Sequence, residues 1–335
     1  MSRPDGGREA MEPRRLANSK RDILAVASSG GHFKQLVSLV TRLRELGSVT
    51  WLTYDVGISR ELLESKGRSD DRVIYTSYAA PRDVTNLARN AGVALRLLRE
   101  QRFDLAISTG AGIAVATLPS ARAMGVRAIY IESATRTQGP SVSGRILERT
   151  PGVELYTQNP GYGRRWKEAG SVHDEFERGP TRTPGRLRRV VVTIGTIRPY
   201  SFERLLHRLL AILPPDVEVL WQTGATDTAG LPIDARPQIA ATELEAAMHD
   251  SDLVIAHAGT GTALTAFEVG KCPLLIPRRQ SFDEHVDDHQ VTTARALAAR
   301  GLAVYSEVED IDVDLLKHVA SRSVVRRTSL PALEI

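Results

Sequence analysis

The sequence has little cysteine, few aromatic residues and no long apolar run. Cys272 is the single cysteine among 335 residues, which excludes an intrachain disulfide and a cysteine-built zinc site and predicts a reducing compartment. Aromatic residues make up 5% of the chain and form no array with basic residues, which argues against nucleic-acid binding. Ser, Thr, Gly and Pro interrupt the longest uncharged run, 105–121, so no membrane span is predicted.

Charge is shared unevenly along the chain. Residues 1–180 carry 27 Lys and Arg against 20 Asp and Glu, whereas residues 181–335 carry 17 against 20. A basic first half suits an anionic partner, such as a phosphorylated acceptor or an anionic membrane surface, although solubility alone explains it equally well. Residues 1–21 lack the apolar core of a secretory signal, so we expect a disordered basic leader there.

The chain alternates short β-branched runs with segments of helical periodicity. At about 150 residues per domain, the length predicts two domains. Runs at 22–28, 49–53, 104–110 and 127–133 predict the strands of the first, and runs at 190–195, 217–223, 252–259 and 272–277 those of the second, before a last long helix. We therefore predict an α/β fold of two Rossmann-like, doubly wound parallel-sheet domains that face a cleft. They span 22–180 and 190–325, with a linker at 181–189 and a tail at 326–335.

Ligands of such folds bind beyond the carboxyl ends of the strands, so the loops there are the candidate sites. Gly30, Gly31 and His32 follow the first strand and open a helix, where free N–H groups favour an anion. His32 is a candidate general base, although a histidine at this position also serves simply to cap or pack a helix. The segment His257 to Thr262 has the same strand-to-helix form.

Several other motifs fail at one or two required positions. The dinucleotide fingerprint that begins at Gly110 has Val115 where a small residue is needed, and the phosphate-binding loop of ATPases fails at Thr265 and Cys272. His285 and His289 have metal-ligand spacing but lack the glutamate of the zincin pattern. We therefore expect neither a cofactor nor a metal.

Taken together, the loops resemble a known family. The first half resembles the membrane-associated subunit of the dolichol-pathway N-acetylglucosaminyltransferase and its bacterial exopolysaccharide and capsule counterparts in SSGGHFKQL, ISTGAG and IYIESATRTQGPSVSGRIL. The second half resembles the catalytic subunit in VTIGT, WQTG, AHAGTGTALTAFEVGKCPLLIPR and EHVDDHQ. Both halves resemble MurG more distantly. The resemblance covers about residues 22–305, as if two subunits were fused.

The resemblance implies a GT-B glycosyltransferase that moves a sugar from a UDP-sugar, with inversion and without a metal, to a polyprenyl-diphosphate-linked or other glycan acceptor. The N-terminal domain would bind the acceptor and the C-terminal domain the donor. The implied catalytic residues are His32 and Glu132, and the acceptor-side residues are Gly30, Gly31, Arg136 and Ser141. The implied donor-side residues are Gly195, Thr196, Gln222, Gly224, His257, Ala258, Gly259, Thr260, Gly261, Thr262, Thr265, Asp287, Asp288 and Gln290.

Some points stay open from the sequence. Thr265 stands where the resemblance implies a ribose-binding glutamate, with Glu268 one turn later, so the nucleotide is less secure than the fold. The segment 84–100 predicts a basic amphipathic helix that either packs on the core or lies on an anionic membrane. We expect a cytoplasmic protein in peripheral contact with the inner face of the plasma membrane. The alternatives are a nucleotide-sugar epimerase, a non-catalytic nucleotide-sugar-binding subunit and a glycosyltransferase of secondary metabolism.

Overall fold

The computed structural model describes residues 20–55, 57–66, 68–79, 83–137, 139–183, 185–196 and 199–335. The predicted leader over 1–21 thus falls outside the described residues except for Lys20 and Arg21, and Arg21 begins the first strand.

The first half of the chain builds a seven-stranded parallel sheet. Its strands are β1 (Arg21–Ala27), β2 (Leu46–Tyr54), β3 (Arg72–Thr76), β4 (Leu105–Gly110), β5 (Arg127–Ile131), β6 (Val153–Thr157) and β7 (Trp166–Glu168). Its helices are α1 (Gly31–Val40), α2 (Gly57–Lys66), α3 (Val84–Glu100), α4 (Gly112–Ala123) and α5 (Val142–Glu148). The strand order is β3-β2-β1-β4-β5-β6-β7. Helices cover both faces of such a sheet, which is why a central strand such as β1 is an almost unbroken apolar run.

The second half builds a six-stranded parallel sheet. Its strands are β9 (Arg189–Thr193), β10 (Glu218–Gln222), β11 (Ala235–Arg236), β12 (Leu253–His257), β13 (Leu274–Ile276) and β14 (Val304–Tyr305), in the order β11-β10-β9-β12-β13-β14. Its helices are α6 (Glu203–Ile212), α7 (Ala241–Asp250), α8 (Thr260–Glu268), α9 (His289–Ala299) and α10 (Val313–Ala320). The prediction of a single long last helix is wrong, because β14 separates α9 from α10.

Each sheet reverses its strand order beside its first strand. In the first sheet β1 lies between β2 and β4, and in the second β9 lies between β10 and β12. The loops that leave neighbouring strands therefore diverge to opposite faces and open a crevice at the carboxyl ends of the strands. We predict from the sequence that the loops after residues 28, 109, 195, 223 and 257 line the cleft, and these loops follow β1, β4, β9, β10 and β12, which lie beside the two crevices.

The two halves pack against each other through α1 and α8. Phe267 of α8 is buried against Phe176, with ring centroids 5.5 Å apart, and belongs to an apolar cluster that continues into α1. Lys34 of α1 forms an ion pair of 2.5 Å with Glu268 and donates to the hydroxyl of Thr265. Apolar packing and a partly buried ion pair thus hold the halves together beside the cleft.

After α10 the chain returns to the first half. Strand β15 (Val324–Arg326) pairs antiparallel with β8 (Phe176–Arg178). Leu333 is buried, and its N–H donates to the carbonyl of Arg42 at 3.2 Å. The predicted tail over 326–335 therefore contains the end of a strand and a segment docked on the N-terminal half.

The predicted amphipathic helix over 84–100 coincides with α3. Its apolar residues Ala94, Leu97 and Leu98 are buried, while Arg96 and Arg99 are exposed. Of the two alternatives left open by the sequence, packing on the core is the one the structure supports, because that apolar face is already covered. Within the described part of the chain, no helix combines the length and the apolar character that crossing a bilayer requires.

The contact between the halves predicts a large stability effect at one phenylalanine. We expect Phe267→Ala to lower the free energy of unfolding by about 3–5 kcal/mol, because it empties a buried aromatic site. The control Phe282→Ala removes a side chain that is 55% exposed and lies against the guanidinium of Arg204, so we expect a loss below about 1 kcal/mol. Urea unfolding of both variants measures the difference; equal losses would contradict this account of the interface.

Candidate active site

His32 lies in the first turn of α1, at the end of the N-terminal half that faces the cleft. Gly30 caps the helix with a φ of +74°, a left-handed conformation that turns the chain sharply out of β1. The Nδ1 atom of His32 lies 2.7 Å from the carbonyl oxygen of Thr109. Because a carbonyl can only accept, Nδ1 carries the proton, and Nε2 of the neutral ring keeps the lone pair. Burial lowers the pKa of His32, which favours this neutral, proton-accepting form.

Gly110 supports the ring of His32 from β4. Its φ is +111°, and a Cβ atom there would lie 3.2 Å from both Cε1 and Nδ1 of the imidazole. The hydroxyl of Thr109 also donates to the carbonyl of His32 at 2.7 Å. Backbone and side chain of the 109–110 segment thus fix the ring, so the loops after β1 and β4 act as one unit.

Glu132 is completely buried and follows β5. Its Oε1 accepts from the hydroxyl of Tyr130 and the N–H of Ser133, and its Oε2 accepts from the N–H and the hydroxyl of Ser141. Ser141 in turn caps α5 by accepting from the N–H of Gly144. Glu132 therefore holds the start of α5 in place, and its predicted catalytic role stays a prediction.

Arg136 reaches across the cleft from the N-terminal half. Its guanidinium lies 3.7 Å from a carboxylate oxygen of Asp287, and its charge acts to lower the pKa of His32. Nearby, the hydroxyls of Thr137 and Thr292 are hydrogen-bonded to each other between the halves. The loop after β5 thus joins the predicted acceptor side to the predicted donor side.

Three glycines bring the loops of the C-terminal half together: Gly195 and Gly259 lie against the ring of His257, and Gly224 lies against Gly195. A Cβ atom at Gly195 would lie 2.8 Å from Nε2 of His257, and one at Gly259 only 2.3 Å from it. Gly224, with a φ of +62°, approaches the carbonyl of Gly195 so closely that a Cβ atom would lie 1.9 Å from that oxygen. These loops leave neighbouring strands β10, β9 and β12, and only glycine permits their contact.

His257 sits at the centre of this glycine cradle, formed by Gly195, Gly224 and Gly259. Its Nδ1 lies 3.4 Å from the carbonyl of Thr193. Burial, assisted by the charge of Arg278, lowers the pKa of His257 to about 4, so the ring is neutral at pH 7. Helix α8 begins directly after Gly259, and Thr260 has a buried hydroxyl that finds no hydrogen-bond partner among the described residues. Free N–H groups of this kind of helix start favour an anion.

The remaining donor-side predictions fall into two groups. The side-chain amides of Gln222 and Gln290 form hydrogen bonds within the protein. Gln222 donates to the hydroxyl of Thr193 at 3.0 Å, and Gln290 accepts from the N–H of Arg278 at 3.0 Å. Ala258 is likewise buried, as part of the core. Exposed or partly exposed are Thr196, Gly261, Thr262, Asp287 and Asp288. Direct contact of either group with a donor stays a prediction.

His285, Asp287 and His289 form a compact cluster at the start of α9. One potential ligand atom from each lies within 4.8 Å of the others. His289 donates from Nδ1 to Asp287, and the ring of His285 stacks on Tyr200 at 5.7 Å. The donor set suits a borderline metal such as Zn²⁺, but the three side chains already satisfy one another. The expectation that no metal is needed stays a prediction.

The structure adds two features that sequence reasoning missed. Thr265 and Glu268 share one face of α8, and Lys34 contacts both. No local pattern pairs residues from α1 and α8, so the sequence alone does not predict this contact. Arg278 is completely buried beside the cradle. A charged residue directly after the buried run of β13 was a usable signal, because that position is the carboxyl end of a strand.

Comparisons with known proteins agree with this architecture. Residues 189–329 match the model of the glycosyltransferase family 28 C-terminal domain. A Burkholderia mallei protein, UDP-N-acetylglucosamine--N-acetylmuramyl-(pentapeptide) pyrophosphoryl-undecaprenol N-acetylglucosamine transferase, is 26% identical over 333 residues, which cover 90% of this chain and 87% of the relative.

Two solved structures show the same fold at lower identity. MurG of Acinetobacter baumannii is 18% identical with a TM-score of 0.53, and the match covers 89% of each chain. A putative UDP-N-acetylglucosamine 2-epimerase of Listeria monocytogenes is 10% identical with a TM-score of 0.59, over 94% of this chain and 93% of that one. The predicted fold class is confirmed, and so is the prediction of a glycosyltransferase. The finer resemblance to two fused dolichol-pathway subunits stays a prediction.

The cradle predicts a specific effect of one methyl group. Gly259 has an ordinary φ of −84°, so Gly259→Ala adds no backbone strain but forces the ring of His257 to move. We expect UDP affinity to fall about tenfold or more, as measured by calorimetric titration. Gly92→Ala, whose added Cβ meets no atom within 4 Å, is the control. Unchanged UDP affinity in Gly259→Ala would refute the role of the cradle.

The buried carboxylate predicts a stability effect. In Glu132→Gln one acceptor oxygen becomes an NH₂ group, and either orientation sets it against a backbone N–H, that of Ser133 or of Ser141. We expect a loss of about 1–3 kcal/mol in the free energy of unfolding. Glu168→Gln, on the exposed part of β7, should cost far less. Thermal and urea unfolding compare the two, and equal stabilities would show that the Glu132 network is not needed.

Proposed function

We propose that this chain is an inverting glycosyltransferase of polysaccharide biosynthesis. It transfers a sugar of the N-acetylglucosamine, glucose, galactose or glucuronic acid type from UDP to a polyprenyl-diphosphate-linked or other glycan acceptor. The relative from Burkholderia mallei supports this donor and acceptor class, since its name specifies UDP-N-acetylglucosamine and a pyrophosphoryl-undecaprenol acceptor. The family 28 match supports a donor site in the C-terminal half.

The observation that carries the proposal is the meeting of two different loops at one cleft. The N-terminal half contributes a neutral histidine, His32, held with its Nε2 lone pair available. The C-terminal half contributes the glycine cradle and the start of α8. Arg136 and Asp287 link the two sides. A base on one side and an anion site on the other are what a transfer from a nucleotide sugar requires.

The proposed chemistry follows from these placements. Nε2 of His32 takes the proton of the acceptor hydroxyl as that oxygen attacks the anomeric carbon. The bond from the anomeric carbon to the diphosphate breaks on the opposite face, which inverts the configuration. The N–H groups at the start of α8 stabilise the negative charge that develops on the leaving UDP, so no metal is required.

We propose that the lipid-linked acceptor approaches along α5 rather than along α3. Helix α5 begins at Ser141 and exposes Val142 and Ile146, which are 72% and 45% accessible, together with Arg145 and Arg149. Apolar side chains flanked by arginines suit the interface of an anionic membrane. Peripheral contact at the inner face of the plasma membrane would place this helix, and the adjoining cleft, at the acceptor's diphosphate.

Three alternatives make different predictions. An epimerase shares the fold, but it would convert the sugar of the donor without any acceptor. A non-catalytic binding subunit would bind UDP-sugars and release no UDP. A glycosyltransferase of secondary metabolism would release UDP with a small aglycone and not with a polyprenyl-diphosphate glycan. Incubation of the chain with each UDP-sugar, with and without acceptor, and chromatography of the products separates all four.

The histidine base predicts a defined pH profile. Because burial lowers the pKa of His32 below its ordinary value of 6.5, the base stays unprotonated at neutral pH. We expect kcat/KM to be lost as pH falls through this lowered pKa, at a lower pH than an ordinary histidine would give. His32→Gln should lose about 10²–10⁴ in kcat and this acid limb, while UDP affinity is retained.

The control for this variant is His318→Gln, an exposed histidine of α10. It should leave both the rate and the profile unchanged. If His32→Gln kept the wild-type rate, the base would have to come from another group of the cleft.

A further inference from the structure

Arg278 is a buried cation that has no acidic partner among the described residues. Its side chain is 0% exposed, and none of the described carboxylates lies within ion-pair distance of its guanidinium. Its Nε–H has no hydrogen-bond partner among the described residues. Arginine is rarely buried unless it is paired, because removal of the charge from water is costly. A negatively charged group that compensates the charge of Arg278 is therefore expected.

The carboxylate whose charge acts on Arg278 is engaged elsewhere. Glu284, the carboxylate that most influences Arg278, forms an ion pair with Arg204 at 3.1 Å and also accepts from the N–H of Arg279. Glu307 pairs with the guanidinium of Arg279 at 2.5 Å. The neighbouring arginine is thus neutralised by a carboxylate of its own, whereas Arg278 is not.

The hydrogen bonds of Arg278 go to the loops of the donor side. Its NH2 group donates to the carbonyl of Ile194, and NH1 donates to that of Tyr200 at 3.4 Å. In the sequence, Ile194 and Tyr200 lie on either side of Gly195 and Thr196. The N–H of Arg278 is fixed by Gln290 of α9. One residue therefore ties together the loops after β9 and β13 and the start of α9.

The charge of Arg278 acts on the cradle itself. It is the largest electrostatic influence on His257, where it lowers the pKa of the ring. Because Arg278 stays protonated at pH 7, with a pKa of about 10, it places a positive charge beside the cradle. The only ionised group of opposite sign that the proposed function brings to this place is the diphosphate of the donor.

We propose that Arg278 is the positioning residue of the donor site: it anchors the carbonyls of Ile194 and Tyr200 and supplies the fixed positive charge that the nucleotide diphosphate neutralises. This inference rests on the proposed function, since it assigns the source of charge for the same site. The arginine acts through the backbone of Ile194 and Tyr200, so it stabilises the leaving diphosphate without a metal ion.

The test compares ligands that differ only in charge. Wild type, Arg278→Met and Arg278→Lys are titrated by calorimetry with uridine, UMP and UDP. For Arg278→Met we expect uridine affinity to change by less than about threefold and UDP affinity to fall by about tenfold to a hundredfold, with UMP between them. Arg278→Lys keeps the charge without the forked geometry and should recover part of the UDP affinity.

The control is Arg279→Gln, which removes the adjacent, carboxylate-paired arginine and should leave all three affinities unchanged. Circular dichroism verifies that each variant is folded; if Arg278→Met does not fold, the same ligand series on Arg278→Lys decides. Equal losses for uridine and UDP would overturn the inference, because a purely structural arginine does not distinguish ligand charge. A wild type that binds none of the three ligands would instead refute the proposed function, and with it the inference.

Discussion

The packing of α1 against α8 is the contact on which the geometry of the cleft depends. Helix α1 carries His32 in its first turn, and α8 begins at the glycine cradle, so the distance between these two helices sets the distance between the candidate base and the donor site. Phe267 and the ion pair between Lys34 and Glu268 fix that distance. An apolar contact alone would allow α1 and α8 to slide along each other. The ion pair between Lys34 and Glu268 fixes their relative position.

The histidines and the arginines of the cleft have different electrostatic roles. Both candidate site histidines, His32 and His257, are half-buried beside backbone carbonyls and are neutral at pH 7. The fixed positive charges come from arginines, Arg136 at the opening and the buried Arg278 beside the loop after β9. Histidines that stay neutral can accept protons, while arginines that never lose theirs can hold a diphosphate. The division follows from the very different pKa values of the two side chains.

The sequence predicted the parts of this structure that depend on local pattern. The helix over 84–100 matches α3 because its apolar spacing and its Asp83 cap are local features. The pairing of β8 with β15 joins residues almost 150 positions apart and leaves no local pattern. Site residues follow the same rule. Loops such as 257–262 can be identified from local sequence, because glycines follow a buried strand there. The hydrogen bonds of Glu132 to Ser141 and Tyr130 depend on how side chains pack in three dimensions, so the sequence does not predict them.

The return of the chain to the N-terminal half has a consequence for biosynthesis. Strand β15 and the docked segment around Leu333 are translated only after the whole C-terminal sheet has been made, at about 5–20 residues per second. Until then, β8 has no partner strand among the described residues, and the surface around Arg42 remains uncovered beside the complete seven-stranded sheet. The nascent N-terminal half must therefore wait on the ribosome in an unfinished state, and an exposed strand edge of this kind is a natural point of contact for a chaperone.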